Sequence, residues 1–316
     1  MARTEYFEIE AKSALNRVQH MGFNWSFNPY QGCFHSCVYC FARAHAKLAD
    51  RDPGAGFSGR VGVKVNAPEL LRRELSRPGW KRETVAFGTA TDPYQPIEGR
   101  YRLTRRCLEA FRDYRTPIGL ITKGTMVIRD IDVLLELASR AKTTVAFSVP
   151  TIDEAVWART EPGTPPPAKR LKVLKALVEA GIEAGVGMAP ILPGLSDSPR
   201  QLEATVAAAA DAGACFLWAN IVYLKPGTKE HFMEFLAREY PHLVPRYRGC
   251  SPEPTRRRRS RRRWCSGSTN SGVASGLGID TAGERSRLRS RANSIWPSSG
   301  APSRIRRRSV LPGAFI

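Results

Sequence analysis

Short apolar runs alternate with longer amphipathic ones along most of this chain. Residues 23–27, 84–87, 118–121, 144–149, 182–188 and 214–221 are rich in aromatic, β-branched and small apolar side chains, the pattern of short buried strands. Between them apolar residues recur every three or four positions. Leu103, Cys107, Leu108 and Phe111 within residues 99–114 are the clearest case, one apolar stripe on a helix. On that basis helices are predicted at residues 41–49, 68–75, 99–114, 131–137, 169–180 and 201–212, with Pro68 suited to a first turn and Gly181 closing residues 169–180. A small strand is predicted at 63–66 and a Gly-rich excursion at 50–62. Residues 1–22 read as a lead-in, with residues 11–20 short and weakly amphipathic. About six strand–helix units predict a parallel sheet covered by helices. Periodicity alone leaves two arrangements open, a doubly wound sheet and an incomplete barrel, and in both the chemistry belongs at the C-terminal ends of the strands.

Composition alters this picture only at the C-terminus. Residues 1–250 carry 34 Lys and Arg against 26 Asp and Glu, a net of +8, whereas residues 251–316 carry 15 against 3, a net of +12. In that last stretch both periodicities disappear, and the arginine runs at 256–259, 261–263 and 306–308 sit among Ser, Pro and Gly. Such a segment cannot build a core, so residues 248–316 are expected to be a disordered basic tail. It has the composition of a nucleic-acid arm, and equally that of an out-of-frame reading of GC-rich DNA. The start of the chain lacks the apolar stretch of a signal peptide, and no run reaches membrane-spanning length. Seven cysteines make a poor disulfide framework, and a reducing, cytoplasmic setting is expected.

Three of the seven cysteines lie within eight residues, Cys33, Cys37 and Cys40. Thiolates at these spacings can turn inward around one metal centre, and an odd set leaves a ligand position open. An iron–sulfur cube with one free iron fits. So does zinc, if His35 or His45 completes a tetrahedral set. Cys107 and Cys215 read as buried small hydrophobes.

Residues 28–43, Asn-Pro-Tyr-Gln-Gly-Cys-Phe-His-Ser-Cys-Val-Tyr-Cys-Phe-Ala-Arg, resemble the cluster loop of radical S-adenosylmethionine (SAM) enzymes. The similarity is to the subgroup around spore photoproduct lyase, also described as DNA repair photolyase-like, and it extends over roughly residues 20–247. The resemblance implies an incomplete (βα)6 TIM-like barrel over residues 23–247. It implies a [4Fe-4S] cluster held by Cys33, Cys37 and Cys40, with SAM chelating the open iron through its amino and carboxylate groups. Reductive cleavage of SAM would give methionine and a 5'-deoxyadenosyl radical that abstracts hydrogen from a substrate. A cellular one-electron reductant, such as flavodoxin or ferredoxin, is implied as a partner.

The remaining site residues are assigned by position relative to that family. Tyr39 belongs beside the cluster or near adenine, or else props the loop. Thr91 and Asp92, in a polar loop stiffened by Pro93 and Pro96, are placed near SAM's amino group, and Glu98 is a candidate cap for the next helix. Lys123 could meet a carboxylate or a substrate anion. Ser148 and Glu161 are expected at the ribose and Arg170 at the methionyl carboxylate through a bidentate pair, with a structural ion pair as the alternative for the last two. Residues 190–197 could shield adenine, Ser196 or Asp197 capping the helix that follows; Asn220 points to the same rim. No catalytic residue is assigned. No strand leads into a G-x-G-x-x-G turn, which argues against a dinucleotide site. Neither Cys107 nor Cys215 stands in the context of the hydrogen-donating cysteine of spore photoproduct lyase, which argues against thymine-dimer repair. A nucleic-acid-modifying radical enzyme and a non-catalytic zinc- or cluster-binding protein are the competing functions.

Overall fold

The computed structural model describes residues 4–19, 21–48 and 52–248, and the six main predicted strands are all present in it. In chain order the elements are β1 (Glu5–Ile9), β2 (Leu15–Arg17), β3 (Trp25–Phe27), β4 (Tyr30–Gln31), α1 (Arg43–Leu48), α2 (Ala55–Ser58), β5 (Arg60–Lys64), α3 (Ala67–Leu75) and β6 (Val85–Phe87). Then come α4 (Glu98–Tyr101), α5 (Leu103–Asp113), β7 (Ile118–Thr122), α6 (Ile131–Ala138), β8 (Thr143–Ser148), α7 (Glu154–Thr160) and α8 (Pro167–Glu179). The last are β9 (Glu183–Ile191), α9 (Pro199–Asp211), β10 (Leu217–Ile221), α10 (Thr228–Glu239) and α11 (Val244–Arg248). The tail expected at 248–316 lies, from residue 249 onward, outside the described residues.

The main sheet runs β2-β3-β6-β7-β8-β9-β10. From β3 to β10 every neighbouring pair is parallel, and β2 is antiparallel on the β3 edge. Six parallel strands in chain order contain no reversal. A doubly wound sheet requires one, and without it right-handed crossovers leave all the helices on one side. Among the described residues β10 pairs only with β9, so the wall they form is open, as an incomplete (βα)6 barrel requires.

Residue parity divides the two faces of this wall. Phe27, Val85, Phe87, Ile118, Leu120, Val145, Phe147, Ala184 and Val186 are fully buried in one core with Leu71, Leu108, Phe111, Leu134, Leu174 and Leu177 of the covering helices. Phe27 sits 4.9 Å from Phe87 and 5.8 Å from Phe111, ring centre to ring centre, in edge-on packing. On the opposite parity the same strands carry Ser26, Ala86, Gly119, Ala146, Gly185 and Gly187. The helix-free face is therefore floored by small side chains. Gly185 and Gly187 are required there: an added Cβ would stand 2.3 Å from the Phe216 carbonyl oxygen and 2.6 Å from the Trp218 ring, respectively.

Four segments depart from their sequence pattern. The lead-in is not featureless. β1 joins β5 and β4 in a second, three-stranded sheet, and β2 shields the β3 edge. The helix expected over 99–114 breaks at Arg102, whose φ of 50° is left-handed. The buried Glu98 carboxylate takes the Thr104 N–H at 3.0 Å, capping α5 as anticipated. α10 was not anticipated, although Phe232, Phe235 and Leu236 form a helical stripe that is buried. Cys107 is buried as expected, but Cys215 is exposed, because it leads into the edge strand β10, which has no neighbour on its outer side.

The glycine floor is testable. Gly185→Ala cannot be relieved by a rotamer change, since the Phe216 carbonyl it would strike accepts the Val186 N–H at 3.0 Å. A loss of about 1–3 kcal/mol in urea unfolding is expected. Gly22→Ala, where an added Cβ meets nothing within 4 Å, should be silent.

Candidate functional site

β3 and β4 deliver the chain into the cysteine loop, and the second sheet fixes where the loop begins. Gly32 adopts a φ of +85°, and a Cβ there would stand 2.7 Å from the Phe57 carbonyl, which accepts the Cys33 N–H at 3.2 Å. Further on, the Val38 N–H reaches the Thr160 carbonyl at 3.0 Å, the Gly163 N–H reaches the His35 carbonyl at 3.1 Å, and the Thr228 hydroxyl reaches the Cys40 carbonyl at 3.1 Å. The loop is thus held by segments 57–61, 160–163 and α10. Its side of the protein is closed by Phe232, Phe235, Leu236 and Tyr247, which pack with Cys37, Val38 and Tyr39.

Arg43 supplies the internal brace. Its side chain is fully buried, stacked 5.0 Å from the centre of the Phe57 ring, and its guanidinium donates to the carbonyls of Ser36, Cys37, Pro53 and Gly54 at 2.6–3.0 Å. The sequence offered one hint of this role. Arg43 lies one helical turn past Cys40, so its side chain reaches back along the loop.

The polar loop after β6 is tied to the cysteines by its own side chains. Thr91 donates to the Gly32 carbonyl at 2.6 Å, Gln95 donates to the Thr91 hydroxyl at 3.1 Å, and the Phe34 N–H donates to Gln95 Oε1 at 3.0 Å. Asp92 accepts from the Tyr94 N–H, the Thr122 hydroxyl and the Lys123 N–H at 2.6–2.8 Å, and His35 Nδ1 stands 3.3 Å away. Four donors fill the acceptor capacity of one carboxylate. Burial works against its ionisation, but His35, the Lys123 N–H and the Thr122 hydroxyl outweigh it and bring the pKa down to about 2. The expected place of Asp92 at SAM's ammonium is therefore taken by protein donors. His35 is buried against Asp92, while His45 is exposed.

A second network joins the ends of β7 and β8. Glu161 is buried among the Tyr39 hydroxyl, the Arg170 guanidinium and, at 3.7 Å, the Lys123 ammonium. Burial alone would raise its carboxyl, yet Arg170 and Lys123 hold it below the ordinary value. The same neighbourhood pushes the Tyr39 phenol up, first through burial and then through the Glu161 charge. Arg170 has no exposed surface and donates to Glu161, Thr164 and the carbonyls of Ser148 and Pro165. This is the structural ion pair weighed against a carboxylate-binding role, and four of the five guanidinium donors are taken by protein oxygens. Lys123 Nζ meets the Ser148 hydroxyl at 2.8 Å and lies 5.7 Å from the centre of the Tyr39 ring. Its side chain keeps 14% exposure. After β9, the cap on the following helix is Ser198, not Ser196 or Asp197, while Asn220 is exposed.

The three thiols face these networks. Cys40 and Ala90 of the loop after β6 pack against the apolar cluster that contains Cys33, and Cys37 lies close enough to Lys123 and Glu161 to feel both charges. Burial, followed by the Asp92, Cys37 and Cys40 charges, raises the Cys33 thiol, and burial pushes Cys37 up to about 12. Thiolates here need a cationic centre to displace their protons. Among the described residues no three His, Cys, Asp or Glu side chains converge on a point where a single ion would touch them all. A cube spreads its ligands over several irons, and two buried thiols with a half-buried third on one loop suit that larger group.

The radical SAM superfamily matches residues 27–206. An uncharacterized protein of Mycobacterium tuberculosis is 42% identical over 246 residues, 77% of this chain and 72% of that protein. An uncharacterized protein of Methanocaldococcus jannaschii is 27% identical over 247 residues, 77% of this chain and 83% of that one. Among solved structures, a spore photoproduct lyase mutant aligns with a TM-score of 0.59 at 15% identity, covering 74% of this chain and 67% of that chain, a likeness of fold.

The buried Asp92 gives a pH test. With a folded pKa near 2 against an ordinary 3.8, its ionised form contributes stability in full above about pH 4, and that contribution is lost as pH falls toward 2. Asp92→Asn should cost about 1–3 kcal/mol at pH 7 and flatten the acid limb of a stability–pH profile measured by urea unfolding.

Proposed function

The chain belongs to the radical SAM superfamily, and from that premise we propose that Cys33, Cys37 and Cys40 are the protein ligands of its [4Fe-4S] cluster. When bound, the cluster and SAM together supply reductive cleavage to methionine and a 5'-deoxyadenosyl radical, which takes a hydrogen atom from the substrate. The protein is thus an enzyme, and its own residues bind, orient and enclose. The observation that carries the assignment of ligands is the clamped three-thiol loop at the C-terminal ends of six parallel strands, facing Ala90, Lys123 and Glu161.

Within that site the SAM-facing roles fall to Lys123, Ser148 and Glu161. Lys123 retains exposure and its ammonium suits SAM's carboxylate, the part first given to Arg170. Ser148 and Glu161 keep the ribose roles expected of them. Arg170 and Tyr39 act through Glu161 by fixing its charge and direction, and Thr91 and Asp92 act through the cysteine loop and the Lys123 backbone. The core expected at 23–247 also takes in β1 and β2, since β5 and β3 pair with them.

A one-electron donor such as flavodoxin or ferredoxin supplies the reducing equivalent. Among the described residues no helix is long and apolar enough to cross a membrane. A nucleic-acid substrate is the second reading. It is supported by the +8 net charge of residues 1–250 and by a solved form of spore photoproduct lyase whose ligands are AdoMet and dinucleoside spore photoproduct.

Anaerobic reconstitution with iron and sulfide, then reduction with SAM present, tests the assignment. About four irons per chain and release of 5'-deoxyadenosine are expected. Alanine at Cys33, Cys37 or Cys40 should abolish both. Lys123→Met should keep its iron and weaken SAM binding by about tenfold to a hundredfold. Zinc in place of iron, or a cluster inert to SAM, would sink the proposal.

A further inference from the structure

One buried cation stands apart from the SAM-facing network. Arg43 makes five hydrogen bonds, to the carbonyls of Cys37, Pro53, Gly54 and Ser36 and, at 3.4 Å, to the Ser36 hydroxyl, and every one ends on an uncharged oxygen. Neutral acceptors soften the desolvation of a guanidinium without cancelling its charge, and a buried charge without a counter-charge is costly. A neutral donor could brace the same carbonyls more cheaply. The presence of a full positive charge therefore calls for a negative group near it.

The candidates are few. Burial works against the Arg43 charge, and the groups that favour it are, in order, Cys40, Cys37 and Cys33 when ionised, and then Asp52. Asp52 favours the charge least of the four, and its carboxylate is turned to the N–H groups of Gly54 and Gly56 at 3.1 and 2.9 Å, with no hydrogen bond from Arg43 to it. The guanidinium grips the backbone between Ser36 and Cys37 and so lies against the loop that carries all three thiols. We propose that Arg43 is the counter-ion of the [4Fe-4S] cluster, favouring the electron that enters from the one-electron reductant. The proposal rests on the reading of Cys33, Cys37 and Cys40 as ligands. It follows that Arg43 does more than shape the loop. Net charge near a cluster is one of the levers on its potential, and an added electron makes the thiolate-bound cluster more negative, so a fixed cation stabilises the reduced form.

A brace and a counter-ion differ in which form of the protein they support. A brace supports apoprotein and loaded protein alike. A counter-ion supports the loaded form and burdens the apoprotein. The test compares the full-length wild type, Arg43→Lys and Arg43→Gln, each as apoprotein and after reconstitution with iron and sulfide. Arg43→Gln loses the brace in both forms, so the reading is the gain in melting temperature on loading and not the melting temperature of either form alone. Loading should raise the melting temperature of Arg43→Gln far less than it raises that of the wild type, and Arg43→Lys should keep more of the increase. In dye-mediated redox titration followed by electron paramagnetic resonance, Arg43→Gln should have the lower midpoint potential. At a fixed potential its reduced fraction should be at least about tenfold smaller, a shift of about 59 mV for a one-electron couple, with Arg43→Lys closer to wild type. Complete loss of the cluster from Arg43→Gln, with its apoprotein still melting cooperatively, supports the proposal as well. Equal destabilisation of both forms by Arg43→Gln, or midpoint potentials that coincide across the three proteins, overturns it. Wild-type protein that takes up zinc or no iron overturns the ligand assignment instead, before any variant is compared.

Discussion

The cysteine loop contains no regular element between β4 and α1, and beyond a few turns of its own, such as the Cys40 N–H on the Cys37 carbonyl, its backbone groups find partners outside itself. They find them in the Phe57, Thr160 and Gly163 backbones, the Thr228 hydroxyl, the Gln95 amide and the Arg43 guanidinium. The partners come from several stretches of chain, and the rest of the architecture can be understood as what brings them together. The second sheet brings Phe57, the loop after β6 brings Gln95, the end of α7 brings Thr160, and α10 brings Thr228. A cluster loop held at so many points can present three thiols in one fixed arrangement, the preorganisation that a reaction governed by positioning needs.

That demand explains why polar residues at the strand ends are divided between two tasks. Asp92, Thr91 and Arg170 look from the sequence like ligand-binding groups, and all three are buried with protein partners. Their polarity is spent on joining loops. Lys123, Ser148 and Glu161, the set proposed to face SAM, are mounted on the others, and of these three Lys123 keeps the exposure while Ser148 and Glu161 are buried. A carboxylate with the burial of Glu161 stays ionised only because Arg170 and Lys123 stand beside it, so the supporting ion pair is a condition of any role Glu161 has toward a ligand.

The legibility of the sequence follows the same division. The parallel sheet could be read because each strand is a short apolar run and each helix carries an apolar stripe, signals set by local periodicity. The barrel order could not be read from periodicity. It depended on the resemblance carried by Cys33, Cys37 and Cys40. β1 and β2 were missed because their residues are half-exposed edge positions with little alternation, and α10 was legible in Phe232, Phe235 and Leu236 but went unread. At the site, residue type announced polarity without its direction. Asp92 and Arg170 read as polar groups of the site, yet whether a carboxylate or guanidinium faces ligand or a neighbouring loop is decided by contacts that local pattern does not show, Asp92 with Thr122 and Arg170 with the Ser148 carbonyl among them. Arg43 differs in that its partners are near in sequence. They are main-chain carbonyls, which leave no mark in a sequence beyond the spacing of Arg43 from Cys40.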